Sequence, residues 1–450
     1  MSQSYEERLG TAPMLPLIFK MALPGVAAQL VNLLYNLVDR VYIGHIPEIG
    51  TNALAGVGVT GSIIILISAF SSVVNGGGAP LAAIALGKGD REEAHRILGN
   101  GFSLLIFFAI FTMLITYSFM EPILRVIGAS DQTIGYAMDY LSIYLTGTLF
   151  VQFATGLNTF ISSQGRPGIA MWSVLIGALL NIVLDFVFIR ILNMGVSGAA
   201  LATVISQFCS AVWVLSFLFS KRASLRLSLR YMKPSKKVLI SMLTLGVSPF
   251  VMGSTESLIG FVLNGSLKHF GDVYVSALTV MQSAMQIISV PLSGFAQGCS
   301  PIMSYNYGHR NPKRVKECFG IALVIMTGFN LFATLLMIAF AGPVASLFTE
   351  DTVLIDTVAH IMPVFLAGMT IFGLQRTCQN SFVALGQAKV SLFIALLRKV
   401  ILLIPLALIL PYFMGVMGIY TAEAIADATA AIICTIIFAY KFPKILKTIS

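Results

Sequence analysis

Long apolar runs, separated by short polar segments, fill almost the whole chain. A membrane-spanning helix needs about 20 mainly apolar residues, and twelve runs are near or above that length. They lie at about residues 15–44, 53–86, 98–119, 134–162, 168–192, 196–219, 238–267, 274–306, 318–341, 354–384, 389–411 and 415–440. The pattern predicts an all-α integral membrane protein with twelve transmembrane helices and no room for a soluble domain.

Composition and missing motifs narrow the function. The 450 residues are 57% hydrophobic and only 10% charged, whereas soluble proteins have about 25% charged residues. The sequence contains no GxxxxGK[ST] phosphate-binding loop and no HExxH metal motif, and its five cysteines form no CxxC pair. We therefore expect no enzyme and no cofactor, and transport driven by an H⁺ or Na⁺ gradient.

The basic residues predict the orientation. Lys and Arg concentrate on cytoplasmic loops of membrane proteins. If the N-terminus is cytoplasmic, 21 of the 28 Lys and Arg residues fall on inner segments and four on outer ends. This asymmetry predicts that both termini are cytoplasmic. It also accounts for the net charge of +9, so we expect no nucleic-acid partner.

The chain contains an internal repeat centred on its longest basic segment. The predicted units are an N-terminal six-helix lobe (1–220), a basic linker (221–237) and a C-terminal six-helix lobe (238–450). Three local matches share an offset of 220 or 221 residues: 86–101 with 307–322, 163–168 with 384–389, and 194–207 with 414–427. Two parallel repeats of this kind are typical of transporters that work by alternating access.

Two carboxylates in the N-terminal half interrupt otherwise apolar spans. A charge at the bilayer centre costs about 2.5–3.5 kcal/mol on insertion scales, so such residues are functional candidates. Asp39 and Asp185 have similar estimated depths, and two acids at one depth repel unless a proton or cation lies between them. Polar residues at similar depth accompany them, namely Tyr35, Tyr140, Asn181 and Thr203. The pattern favours an ion-coupling site over a purely structural polar network.

A second set of polar residues lies in the C-terminal half. Glu256 is in the middle of the seventh span, and Glu423 and Asp427 share one face of the twelfth. Arg376 and Gln379 lie in the tenth span, and Arg376 is expected to neutralise one acid. Three interpretations of this set are open: a buried ion-pair network, a binding surface for cationic substrates, or a second ion site. Near mid-membrane depth we count five acids in the spans and one arginine, Arg376, and this excess of acids predicts an acidic cavity.

Several motifs resemble the multidrug and toxic compound extrusion (MATE) family, especially the bacterial branches that include NorM, DinF and MepA. They are YNLVDRVYIG (35–44), GKGD (87–90), GRP (165–167), NIVLDFVFI (181–189) and GVSGAALAT (195–203). The resemblance implies export of organic cations and other amphiphiles in exchange for H⁺ or Na⁺. It also implies a protein of the bacterial cytoplasmic membrane in contact with lipids, and we expect a monomer.

The resemblance also implies roles for residues. The coupling network of DinF-like members maps onto Tyr35, Asp39, Asn181, Asp185 and Thr203, with Tyr140 a weaker match. Glu256 matches the glutamate of the seventh span in NorM-like members. Those members also use an acid in the tenth span, where this chain has Arg376. The candidates for a Na⁺ site are therefore Asp39, Asp185 and Glu256.

Other classes of function make different demands on the sequence. A flippase for lipid-linked saccharides, the main alternative, needs a basic cavity that holds pyrophosphate. A membrane enzyme needs a cluster of acids or histidines at one membrane face, and none is visible in the sequence. A channel would give single-channel currents instead of strict exchange.

Overall fold

The computed structural model describes residues 5–44, 46 and 50–449, and the regular structure in that part is helical. Eleven of its helices are long and apolar enough to cross a membrane. They are α1 (Met14–Gly44), α2 (Asn52–Gly87), α3 (Arg91–Ser118), α5 (Pro167–Ile191), α6 (Gly195–Phe219), α7 (Lys236–Lys268), α8 (Asp272–Gly308), α9 (Pro312–Ala339), α10 (Thr352–Ala384), α11 (Ala388–Met414) and α12 (Val416–Lys447). Shorter helices cover Glu7–Thr11, Met120–Ile127 and Ala341–Ser346.

The predicted fourth span is present but broken. Segment α4 (134–163) consists of three consecutive helices, Ile134–Thr146, Thr148–Gly156 and Asn158–Ser163. The first two pack against the same neighbours, α2 and α6. At the first break a Cβ on Gly147 would lie 2.7 Å from Val204, so α4 and α6 approach too closely there for a larger residue. Hydropathy predicted this span without its interruptions.

The helices pack as two groups. In the N-terminal half, α1 packs on α5, and α4 packs between α2 and α6; in the C-terminal half, α10 packs against both α9 and α12. Contacts between the halves run through α1 with α8 and α2 with α7. The four helices that join the halves are thus the first, second, seventh and eighth spans, which correspond in the repeat.

The joining helices touch backbone to backbone near one side of the bundle. A Cβ on Gly25 would lie 2.7 Å from the carbonyl oxygen of Gly294, and one on Gly246 would lie 2.3 Å from that of Val73. These contacts form what we call the seal. The seal lies toward the N-terminal end of α1. We call that side the terminal face because both described chain ends are there. Arg314 at the start of α9 donates to the carbonyl oxygen of Ala12, just before α1, and Ile445 packs in one cluster with Val315.

The N-terminal segment crosses the seal at the terminal face. Glu6 is 5% exposed and forms an ion pair with Arg91 of α3. Three residues later, Leu9 is fully buried, and its carbonyl oxygen accepts a hydrogen bond of 2.9 Å from Asn306 of α8. The short helix Glu7–Thr11 therefore contacts both halves of the chain.

Enlarging a glycine that packs beside Gly246 tests whether close packing forms the seal. A Cβ on Gly77 would lie 2.3 Å from the backbone oxygen of Met242, and overpacking of this kind costs about 1–3 kcal/mol. We expect Gly77→Val to depopulate the sealed arrangement roughly tenfold. Double electron–electron resonance between spin labels at Lys88 and Lys313, exposed at the terminal face of either half, should then show more long distances.

Gly58→Val is the matched control, because it lies in the same helix with nothing within 4 Å of its added Cβ. Equal distance distributions for the two variants would contradict a seal formed by close helix packing.

Candidate functional site

A cavity of about 650 Å³ lies between the two halves, adjoining the seal. Its wall is built by α1, α2, α4, α5 and α6 from one half and by α7, α8 and α10 from the other. Most lining residues are Ser, Thr, Asn, Gln, Gly, Ala and Pro. Small polar and apolar groups alternate, and pockets of this size hold drug-sized molecules.

The predicted acidic cavity is wrong. Arg376 is the charged residue of the described cavity wall, and none of Asp39, Asp185, Glu256, Glu423 and Asp427 lines it. The sequence count gave depth along each span but not the direction in which each side chain points. In the folded bundle Asp185, Glu423 and Asp427 are buried among neighbouring helices. Glu256 is exposed but does not line this cavity.

The two acids of the N-terminal half meet. Asp39 on α1 and Asp185 on α5 lie close enough for their carboxyl groups to interact electrostatically, on two helices that pack together. Asp185 is fully buried, and both of its carboxylate oxygens lack a hydrogen-bond donor, as does Oδ1 of Asp39. Among the described residues no Lys or Arg forms an ion pair with either acid. The protein itself therefore leaves this pair without a counter-charge in direct contact.

The predicted neighbours of the pair lie around it. Asn181, one turn before Asp185, donates a hydrogen bond of 3.4 Å to Thr203 on α6, and Tyr140 on α4 lies near Thr203. Tyr35 lies within electrostatic range of Asp39. Sequence reasoning missed Tyr144, which is buried and stacks on Tyr140 with ring centroids 6.2 Å apart. Its spacing of four residues from Tyr140 was the available signal.

Helix α1 connects the cavity to the acid pair. Gln29, Asn32 and Tyr35 line the cavity, and Asp39 follows one turn beyond Tyr35 on the same face. On the other side of the pair, α5 changes from α-helix to π-helix directly after Asp185, over Phe186–Ile191. Such π-helical turns occur frequently at functional sites. The polar stripe read from the sequence is thus a continuous path from cavity wall to carboxyl pair.

The acids of the C-terminal half are paired with cations of α11. Arg398 donates to Asp427 Oδ1 at 2.5 Å and lies 3.7 Å from Glu423 Oε1. Lys399 lies 3.8 Å from Glu423 Oε1 and 3.5 Å from Glu256 Oε1. Apart from Glu256, which is 59% exposed, these side chains are at most 10% exposed. They form an ion-pair network between α7, α11 and α12.

The prediction that Arg376 neutralises one of these acids is wrong. Its guanidinium donates instead to the hydroxyl of Ser293 on α8 at 2.5 Å, and it forms no ion pair within the described residues. Gln379 donates to the sulfur of Met252 at 3.2 Å. Arg398 and Lys399, two adjacent cations inside an apolar run, were the signal in the sequence for the true partners.

Removing a cation of this network should destabilise the fold. Breaking a buried pair from one side costs about 3–5 kcal/mol, because the remaining charge stays buried. We expect Arg398→Leu, which leaves Asp427 uncompensated, to lower the midpoint of thermal unfolding in detergent by several degrees. Arg190→Leu, an exposed arginine on α5, is the control and should leave the midpoint unchanged. Equal midpoints would contradict a stabilising network.

The family follows from a comparison with known proteins. The MatE family model matches residues 24–187 and, a second time, residues 250–409. The chain belongs to the MatE family. The two matches fall in the two predicted halves, and the first contains both Asp39 and Asp185. The second contains Arg376, Arg398 and Lys399 but ends before Glu423.

Relatives and solved structures agree with this assignment. The MatE chain is 24% identical over 420 residues to the multidrug export protein MepA of Staphylococcus saprophyticus, covering 92% of this chain and 91% of MepA. A crystal structure of MATE in the bent conformation superposes with a TM-score of 0.92 at 23% identity over both complete chains. An outward-facing multidrug resistance MATE transporter of the MOP superfamily gives 0.92 at 23% identity over 99% of each chain. At this identity the structures establish the fold.

Proposed function

We propose that this MatE-family protein is a secondary active exporter that exchanges amphiphilic organic compounds for H⁺ or Na⁺. The observation that carries the proposal is the uncompensated pair Asp39–Asp185, on a helix that also takes part in the seal. The name of the relative MepA, a multidrug export protein, supports export of varied compounds. A bacterial relative also supports a place in the bacterial cytoplasmic membrane.

The chemistry of the pair favours binding of a small cation. Two ionised carboxylates in contact repel each other strongly where little water screens them, and the repulsion is relieved when a proton or a Na⁺ ion lies between them. Oxygen ligands suit both ions. The C-terminal acids are poorer candidates for the same task, because each of them is in contact with Arg398 or Lys399.

Helix α1 links cation binding at the acid pair to the opening or closing of the seal beside the cavity. One end carries Asp39 against α5, and the other carries Gly25 against Gly294 of α8. Pro24 lies within the helix, and a proline removes one backbone hydrogen bond and permits a bend. A cation that changes how α1 packs on α5 therefore acts on the same helix that holds the seal.

The orientation predicted from the basic residues makes the terminal face cytoplasmic. The sealed cavity then belongs to an outward-facing state, from which substrate leaves and into which the driving ion enters. Alternating access requires the seal to open toward the cytoplasm in the other state. A channel would need no such seal, so strict exchange of ion for substrate distinguishes the two.

The cavity wall does not favour a positively charged substrate, since no described acid lines it. It suits neutral or charged amphiphiles of drug size. The flippase alternative calls for several cations around a pyrophosphate, and the described wall offers one, Arg376. We therefore propose export of amphiphiles rather than flipping of lipid-linked saccharides.

Transport by reconstituted protein tests the proposal. Efflux of ethidium and of fluorescein from proteoliposomes should respond to an imposed pH gradient or an imposed Na⁺ gradient, and the responsive gradient identifies the ion. We expect Asp185→Asn and Asp39→Asn each to reduce gradient-driven efflux by about tenfold or more, the size of a typical coupling free energy. Each variant should still fold, since it removes repulsion between two acids.

Asp139→Asn is the matched control, an exposed aspartate on α4 of the same half. Wild-type rates in the Asp185→Asn protein would disprove coupling at this pair. Dye movement that ignores both gradients would disprove secondary active export.

A further inference from the structure

Two arginines of the C-terminal half, Arg398 buried and Arg376 partly buried, have opposite environments. Arg398 contacts two carboxylates, Glu423 and Asp427. Arg376 contacts one neutral hydroxyl, that of Ser293, and lines the cavity. A guanidinium carries five N–H donors, so the hydroxyl leaves most of the donors of Arg376 without a strong acceptor.

The remaining surroundings of Arg376 offer no competing acid at contact distance. Glu256, the acid within electrostatic range of Arg376, is itself paired with Lys399 at 3.5 Å. The neighbouring side chains on α10 that line the cavity are amides, Gln379 and Asn380. Asn380 donates to the carbonyl oxygen of Ala296 at 3.0 Å. The arginine is therefore held by neutral groups at the wall of a cavity.

A charge without a counter-charge is costly at membrane depth. The network of Arg398 and Lys399 shows how this chain compensates cations that serve structure, namely with carboxylates in contact. Arg376 is not compensated in that way. Arginine binds carboxylates and similar oxyanions through paired, parallel hydrogen bonds, so the missing partner is an acceptor supplied from the cavity.

We propose that Arg376 holds an anionic group of the transported compound, a carboxylate or a sulfonate, and that the cavity takes anionic amphiphiles in preference to cations. The apolar and amide-rich wall then accommodates the rest of the molecule without a fixed pattern of contacts. This inference rests on the proposed export function and specifies its substrate class.

The six charged side chains discussed here sum to zero, so local contacts and not the net charge favour an anion at Arg376. Three acids, Glu256, Glu423 and Asp427, contact only two cations among the described residues. Arg376 balances the third acid in total charge but stands apart from the network. An anion at Arg376 is thus bound by a local contact, and Ser293 and the two amides provide further hydrogen-bond donors beside it.

Equilibrium binding to the purified full-length protein tests the proposal without any ion gradient. Fluorescein and rhodamine 123 share a xanthene–phenyl frame and differ in charge, so fluorescence polarisation compares an anion with a cation of similar shape. We expect the wild-type protein to bind fluorescein more tightly. Arg376→Gln should weaken fluorescein binding about tenfold or more, as loss of a hydrogen bond to a charged group does, and leave rhodamine 123 unaffected.

Charge variants sharpen the result. Arg376→Lys should retain part of the preference for fluorescein, and Arg376→Glu should reverse it toward rhodamine 123. Arg190→Gln, exposed on α5, is the control for loss of a positive charge. Unchanged rhodamine 123 binding shows that the Arg376→Gln protein is folded.

Two results overturn the inference. In the first, the wild-type protein binds both dyes with equal affinity or binds neither dye. In the second, Arg376→Gln weakens the binding of both dyes equally. Neither result bears on coupling, which is tested separately with gradients and the Asp39 and Asp185 variants. A protein that binds fluorescein selectively but ignores both gradients would retain this site and lose the proposed exchange.

Discussion

The cost of a charge inside the hydrocarbon layer is the constraint on which this structure depends. Eight charged side chains inside the spans are discussed above, and the fold treats them in three ways. Arg398, Lys399 and the acids around them neutralise one another by direct contact. The pair Asp39–Asp185 has no protein counter-charge in contact, and Arg376 has only a hydroxyl. The uncompensated groups are the ones that call for an ion or a substrate.

Close packing of small residues forms the junction between the two halves. At Gly25 with Gly294, and at Gly77 with the backbone of Met242, helices approach so closely that a Cβ does not fit. Contacts of this kind join helices without long interlocking side chains. Helix α1 takes part in both the junction and the acid pair, which is why the proposed function assigns it the link between them.

The two halves share a scaffold and differ in chemistry. Helix α5 contributes an acid, Asp185, and its counterpart in the repeat, α11, contributes the bases Arg398 and Lys399. Both helices leave α-helical geometry near these residues, over Phe186–Ile191 and Leu397–Leu403. Duplication of the scaffold thus did not duplicate the site. Within the described residues, the N-terminal half has a carboxyl pair without a cation in contact, and the C-terminal half has an ion-pair network beside Arg376, which no carboxylate contacts.

Hydropathy along the chain was enough to predict the helical membrane fold, because the length of an apolar run is a local property. The repeat and the depth of Asp39 and Asp185 were likewise readable, since both depend only on spacing. The sequence could not show that α4 is broken, that Arg398 and Lys399 rather than Arg376 contact the acids, or that the cavity wall carries a cation. Each of these depends on the rotation of a helix about its axis and on which helix lies beside it. Only tertiary packing decides that, because it brings together side chains far apart in the chain.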